Sequence, residues 1–271
     1  MKKIIIFLII VAIFGYLLKK SWQNNDFKLG IITPGQVALL SISPERGMIN
    51  LLSVDPEVEV WLPGGMGWYA SNKLLKIYES DKEINLIKKT FFYNFGFMPD
   101  KIMLLNEVKD WRSFDLVKYL GPLNWLRYLF EQESWLYKTD TLTRSLEMEK
   151  EKLDELLPRD FAESELLTEE IKIMVINDTE ENGLGSFVAD RLNWMGFSVI
   201  EVRSELPKKE CEIMQRVGSG GVIKKYTEVL AKEFNCSLVS NATLLENEAV
   251  LYLGQNYASM IKYNNYNNSS N

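Results

Sequence analysis

Residues 171–202, IKIMVINDTEENGLGSFVADRLNWMGFSVIEV, spell out one βαβ unit almost completely. Ile171, Lys172, Ile173, Met174, Val175 and Ile176 are rich in β-branched and apolar side chains, which suits a strand, and Asn177-Asp178 punctuates its end as a turn. Phe187, Val188, Leu192, Trp194 and Met195 then gather on one helical face. Gly196 stands where a helix C-cap is expected, and 197–202 resume as a strand. Two strands joined by one helix pair in parallel through a crossover that is nearly always right-handed.

Gly183-x-Gly185-x-x-Val188 is a partial G-x-G-x-x-G, and Glu201 lies near the end of the next strand. A dinucleotide fingerprint sets its glycines directly after the strand, so that pyrophosphate meets the helix N-terminus. Here residues 177–182 intervene, and Asp178, Glu180 and Glu181 place negative charge where an anion should sit. The glycines therefore read first as backbone devices. As candidate ligand contacts this unit offers Asn177, Thr179, Gly183 and Gly185. A second turn, Gly218-Ser219-Gly220-Gly221, precedes a helix over 222–234, and the N–H groups of Gly218, Ser219 and Gly220 could receive a phosphate or carboxylate. It lacks the Gly-Lys-Ser/Thr ending of a P-loop, which favours a flexible connection.

Several of these phrases carry a resemblance. Val175-Ile176-Asn177-Asp178-Thr179, Gly183-Leu184-Gly185, Ala189-Asp190-Arg191-Leu192 and Gly196-Phe197-Ser198-Val199 resemble the LytR C-terminal domain. The resemblance continues through a second helix over 221–234 and a closing strand over 249–254, so it covers residues 171–262.

Upstream, residues 21–36 hold Ser, Gln, Asn and Gly with few large apolar groups, and 23–36 read as a tether. The pattern then becomes β: 37–43, the Pro44-Glu45-Arg46-Gly47 turn, 48–54, and 58–62 before Pro63-Gly64-Gly65. Helices follow over 72–79 and 83–95, the latter burying Ile84, Ile87, Phe91 and Phe95 and stopped by Gly96, with a further strand over 101–105. The order βββααβ points to a mixed sheet covered by helices. This part resembles the first half of the catalytic LytR-CpsA-Psr domain through Leu39-Leu40-Ser41-Ile42-Ser43-Pro44, Leu52-Ser53-Val54, Val60-x-x-Pro63-Gly64 and Phe95-Gly96-Phe97-x-x-Asp100. The resemblance implies transfer of glycopolymers from polyprenyl pyrophosphate carriers to the cell wall, with arginines gripping the pyrophosphate and acidic residues assisting Mg²⁺. Where that family writes Pro-Arg-Asp, this chain has Asp55-Pro56-Glu57, so Pro56 replaces the pyrophosphate arginine. Between Trp111 and Glu170 only Arg112, Arg127, Arg144 and Arg159 occur, scattered singly. Bidentate guanidinium contacts are what hold a pyrophosphate well, so the reading leans away from an enzyme and assigns no catalytic residue.

Between 106 and 140 lie Trp111, Phe114, Tyr119, Trp125, Tyr128 and Phe130, with Trp135 and Tyr137 beyond them. On an exposed groove they would suit sugar rings or lipid, and an aromatic stripe at helical spacing reads more simply as core. Gly121-Pro122 breaks this stretch into two short helices. Residues 141–157 read as a charged helix ended by Pro158, residues 158–170 as an acidic linker, and 263–271 as a disordered tail rich in Asn, Tyr and Ser.

At the N-terminus, Met1-Lys2-Lys3 precedes the uncharged run 4–18, followed by Lys19-Lys20 and Trp22. At about 1.5 Å per residue the run spans about 22 Å, enough to cross a bilayer if the flanking lysines snorkel. No small-x-small cleavage site follows, which favours an uncleaved signal anchor over 1–22. Lysines on both sides leave orientation undecided by charge. The resemblance implies a cytoplasmic tail, with the bulk of the chain outside the cell membrane.

Composition narrows the chemistry. The sequence has no histidine, which excludes Ser-His-Asp and Cys-His catalysis and imidazole metal ligands. A net charge of -6 without a basic stripe argues against nucleic acid as a partner. Cys211 and Cys236 could pair in an oxidising space, and read more readily as two unpaired structural thiols. Asp55, Glu57 and Glu59 would share one face of a strand and could ligate Mg²⁺, and the same alternation describes a solvated edge. The resulting expectation is an α/β chain: a membrane helix, a mixed-sheet domain over 37–157 and a small βαβ-type domain over 171–262. It would meet membrane lipid through 4–18 and bind a cell-wall glycopolymer or another envelope protein. No cofactor is needed; Mg²⁺ enters only with the alternative of a working phosphotransferase.

Overall fold

The computed structural model describes residues 26–43, 46–81, 84–105, 107, 136–218 and 220–262. Its first sheet starts inside the stretch expected to be a tether. β1 (Phe27–Ile32) pairs antiparallel with β2 (Val37–Ser43) and parallel with β6 (Lys101–Leu104), and every residue after Phe27 is buried. Lys28 and Gly30 disguise this strand. Lys28 is buried only because an acidic partner from a remote segment meets it, and Gly30 makes room for Phe91 and Ile102, which a Cβ would meet at 2.7 Å.

β3 (Met48–Val54) pairs with β2, and β7 (Leu136–Leu142) runs parallel to β3 at the far edge, giving the order β6-β1-β2-β3-β7. β4 (Glu59–Leu62) leaves this sheet for a separate hairpin with β5 (Gly67–Ala70). α1 (Leu74–Asp81) and α2 (Ile84–Phe95) occupy the expected places. α2 packs Ile87, Phe91 and Phe95 into the core, whereas Ile84, in its first turn, is 42% exposed. The helix expected over 141–157 is divided: Leu142 ends β7 opposite Val54, and α3 (Lys150–Asp160) begins later. α3 also runs through Pro158 instead of ending there, because a proline so close to the C-terminus removes one helical N–H bond and little else.

The acidic stretch 158–170 is not a free linker. Asp160, Phe161, Ala162, Ser164 and Leu166 are buried, and the last two belong to α4 (Ser164–Thr168).

The 171–202 stretch folds as its composition dictates: β8 (Lys172–Asn177), α5 (Leu184–Met195) and β9 (Ser198–Ser204), the two strands parallel and Gly196 stopping the helix at φ +116. A second βαβ unit follows, β10 (Glu212–Arg216), α6 (Gly221–Phe234) and β11 (Ser237–Asn241). β12 (Glu248–Leu253) lies between the two units, parallel to β8 and antiparallel to β10, so the order is β11-β10-β12-β8-β9. α7 (Gln255–Ile261) ends the described chain.

The parallel register aligns Glu212 with Ser237, which brings Cys211 and Cys236 side by side just ahead of their strands, with Cα atoms 4.6 Å apart. They form a disulfide, correcting the expectation of two free thiols. Spacing alone does not reveal the pairing, because it is the crossover of the second βαβ unit that juxtaposes them.

Side chains cross between the two sheets. Trp61, Phe92 and Tyr93 enter the core beneath the second sheet, and Trp194 enters the core beneath the first. The fold is thus α/β with two mixed sheets. Among the described residues no helix is long and apolar enough to cross a membrane. The segment 1–22, the aromatic stretch 108–135 and the tail 263–271 lie outside the described residues.

Candidate functional site

A cavity of about 640 Å³ opens at the seam of the two sheets. β1 and α2 supply one wall, α6 the other, and the start of α4 closes the back. Its floor is apolar, built from Phe27, Phe92, Tyr93, Met98, Met195 and Phe234. Its rim carries five carboxylates, Asp26, Asp100, Glu163, Glu165 and Glu233, and three amines, Lys88, Lys89 and Lys225. A concave apolar floor with a few convergent polar groups is the usual form of a ligand site.

Glu163 is the hub of the rim. Its Oε1 lies 2.9 Å from Lys28 Nζ, and its Oε2 accepts a hydrogen bond from the Tyr226 hydroxyl at 3.0 Å. Its backbone N–H donates to the Met195 carbonyl at 2.8 Å. One residue therefore joins β1, α5 and α6. Lys28 is 1% exposed, with its ammonium 5.4 Å from the Phe97 ring centroid. Loss of hydration penalises such a charge severely unless it is paired, and Glu163 supplies the pair. The chain of contacts continues from Tyr226 to Glu165 at 3.3 Å and from Glu165 to Lys225 at 2.5 Å. Burial, with the Glu163 and Glu165 charges beside it, pushes the Tyr226 phenol far up, so it remains a donor.

Asp26 is held differently. Its carboxylate accepts from Ser43 Oγ, from the Ser164 N–H at 2.6 Å and from Ser164 Oγ at 3.1 Å. Asp100 accepts the Lys28 backbone N–H at 2.8 Å. Desolvation at the cavity wall, and then the Glu163 charge, push its carboxyl up.

The candidate contacts read from sequence lie elsewhere. Asn177 Oδ1 accepts the Thr179 hydroxyl at 2.6 Å, Asn177 Nδ2 donates to the Glu181 carbonyl at 2.9 Å, and Thr179 Oγ1 accepts the Glu181 N–H at 3.1 Å. Both side chains are spent on shaping their own turn. Gly183 takes φ +80 at the start of α5, and a Cβ on Gly185 would meet Asn177 and Val202 at 3.2 Å, so these glycines serve the turn and the helix–strand contact. Asp178 is fully buried, its carboxylate 2.8 Å from Lys208 Nζ.

Gly218 and Gly220 border a second cavity of about 650 Å³ with Glu169, Arg216, Glu246 and Asn247, while Ser219 lies outside the described residues. β10 runs antiparallel to β12, and β12 parallel to β8, so Gly218 sits beyond the Lys172 end of β8 and Asn177 at the other end. The sequence-derived candidates therefore form two groups about one strand length, roughly 17 Å, apart. Asp55 and Glu57 lie in a turn closed by Asp55 Oδ1 on the Glu57 N–H, not on a strand face with Glu59. Among the described residues no three His, Cys, Asp or Glu side chains are placed to hold a metal ion.

The seam residues escaped the sequence reading because their partners are remote in the chain. The one available signal was a lysine inside an apolar run, Lys28.

No family model matches this chain. No curated protein matches it either. Among solved structures, TagU from B. subtilis is 17% identical with a TM-score of 0.25 over 36% of this chain, which spans 40% of the TagU structure. TagT bound to LIIa-WTA, and the LytR-CPS2A-psr family protein YwtF (TagT) with bound octaprenyl pyrophosphate lipid, are each 12% identical with a TM-score of 0.25, over 78% of this chain and 90% of theirs. The structural similarity to LytR-CpsA-Psr proteins is weak.

Proposed function

We propose that this chain is a membrane-anchored, extracytoplasmic protein of the cell envelope that binds an envelope polymer or a partner protein and transfers nothing. The observation that carries this reading is the seam cavity, with its apolar floor, its mixed-charge rim and no arginine among the described residues of its wall. A pyrophosphate-handling site wants guanidinium groups, and five carboxylates against three amines would repel such an anion. That balance weighs against the alternative, a glycopolymer phosphotransferase acting on polyprenyl pyrophosphate-linked substrate, which would also call for Mg²⁺. The Cys211–Cys236 disulfide fits an oxidising compartment and so supports the extracytoplasmic placement. The anchor over 1–22 and the lipid contact through 4–18 rest on the apolar run alone.

The test is co-sedimentation of the detergent-solubilised full chain with purified cell-wall sacculi. Saturable binding that Val229→Trp, which fills the cavity from α6, weakens at least ten-fold would support the reading. Sedimentation of neither protein would remove the polymer and leave a protein partner.

A further inference from the structure

β9 is an outer strand of the second sheet, and among the described residues no strand pairs with its far side. All of its residues except Val199 are exposed. Ile200 at 51%, Val202 at 42% and Leu206, just past its end, at 85% leave large apolar side chains in solvent. The opposite edge strand, β11, has the uncharged sequence SLVSN, whereas β9 is SVIEVRS, with an acid and a base two residues apart.

The ladder shows how this edge is presented. Its irregularity falls between Ile173 and Met174, and from there Glu201, Val202, Arg203 and Ser204 face successive residues of β8. Within a parallel ladder the N–H and C=O of one residue point to the same side, and successive residues alternate. The Glu205 N–H donates to the Asn177 carbonyl at 3.2 Å, so Arg203 and Glu201 also turn theirs to β8. Val202 and Ser204 turn theirs outward. The side chains divide as well. Val202 points to the α5 side, where its Cγ1 lies 3.2 Å from the place of a Cβ on Gly185, and Glu201 and Arg203 point to the other face. Arg203 lies 3.7 Å from Glu201 and 3.0 Å from Glu205.

Sheet edges that repel a further strand carry like charges, proline or a central bulge. Glu201 and Arg203 have opposite signs, which makes the strand complementary to itself. If a second β9 lies antiparallel about Val202, the outward N–H and C=O groups of the two Val202 residues meet, and Glu201 of each copy faces Arg203 of the other. Directly opposed side chains have Cβ atoms about 4.5–5.5 Å apart, and opposite charges there are favourable. The four charges then alternate around a square, each with opposite signs as its nearest neighbours. Centring the pair on either adjacent residue would set Glu201 against Glu201 or Arg203 against Arg203. Beside the axis, a recess of about 300 Å³ between α5 and β9, bordered by Ala189, Val199 and Val202, leaves room for apolar side chains of the added strand.

We propose that β9 is a dimerisation edge, on which a second copy of this chain lays its own β9 antiparallel about Val202 and joins the two five-stranded sheets into one. The proposal is independent of the seam cavity, none of whose described lining residues belongs to β9.

The experiment is sedimentation equilibrium of the detergent-solubilised full chain, of Glu201→Arg, of Arg203→Glu, and of the two variants mixed in equal amounts. The unaltered chain is expected to dimerise. Each variant alone sets like charges opposite one another twice and should weaken the dimer about ten-fold. The mixture should recover the unaltered affinity, because the two altered strands again oppose charges of opposite sign. Both side chains are 46% exposed, so both variants should melt close to the unaltered chain. A monomeric unaltered chain, a dimer indifferent to both substitutions, or a mixture no tighter than its components would overturn the proposal.

Discussion

Two polar networks of the protein differ in how far apart in the chain their members lie. In the turn after β8, Asn177, Thr179 and Glu181 satisfy one another within five residues. At the seam, Lys28, Glu163, Glu165 and Tyr226 reach across most of the described chain to do the same. The first network shapes a loop. The second locks two sheets together and forms the rim of a cavity. A polar residue whose partners are local is thus a poor marker of a binding site, while a buried charge whose partner is remote marks the place where a surface was built.

The largest effect should come from the remote network. Glu163→Ala strands the Lys28 ammonium in the interior and should cost about 3–5 kcal/mol, read by urea denaturation. Glu163→Gln keeps the Tyr226 contact and should show whether charge or hydrogen bonding dominates. If both variants cost under about 1 kcal/mol, the distinction between the networks collapses.

A smaller effect is expected at Asp160, which joins α3 to the first sheet while 2% exposed. Burial alone would raise its carboxyl, but hydrogen bonds from Arg159 and Lys138 outweigh that and hold it below the usual carboxylate range. A lowered folded pKa means that the stabilisation is complete above the unfolded value, near 3.9, and is lost as pH falls through the folded one. Melting curves from pH 6 down to 2 should show this loss, and Asp160→Asn should flatten the slope while costing about 2 kcal/mol at neutral pH.

The smallest effect belongs to the local network. Asn177→Ala should cost about 1–2 kcal/mol, and it should leave ligand binding at the seam unchanged because the turn lies outside the cavity wall. Weakened sacculus binding in that variant would restore the turn as a site.

Legibility followed the same division. β8, α5 and β9 were readable because a strand, a helical face and Gly196 are written in consecutive residues, and a parallel crossover needs nothing more. β1 was not, since a lysine and a glycine in six residues break the apolar pattern, and both are tolerated only through Glu163, Phe91 and Ile102. Leu142 was drawn into an expected helix because its leucine spacing continues into α3, while pairing with β3 fixed it as a strand. Asn177 and Thr179 are legible in sequence as polar candidate contacts at a strand end, whereas only the fold shows that the two side chains are spent on each other.

By itself the sequence determined what short-range physics can determine: the α/β class of the C-terminal part, most helices, the hairpin strands, and the exclusion of histidine chemistry. Tertiary structure alone decided that 27–32 is an inner strand of the first sheet, that Cys211 meets Cys236, that Asp160, Phe161, Ala162, Ser164 and Leu166 are buried, and that five carboxylates gather at one seam. The physical reason is that pattern and propensity act over a few residues, whereas the cost of burying a charge is settled only by whichever remote group folding brings to it.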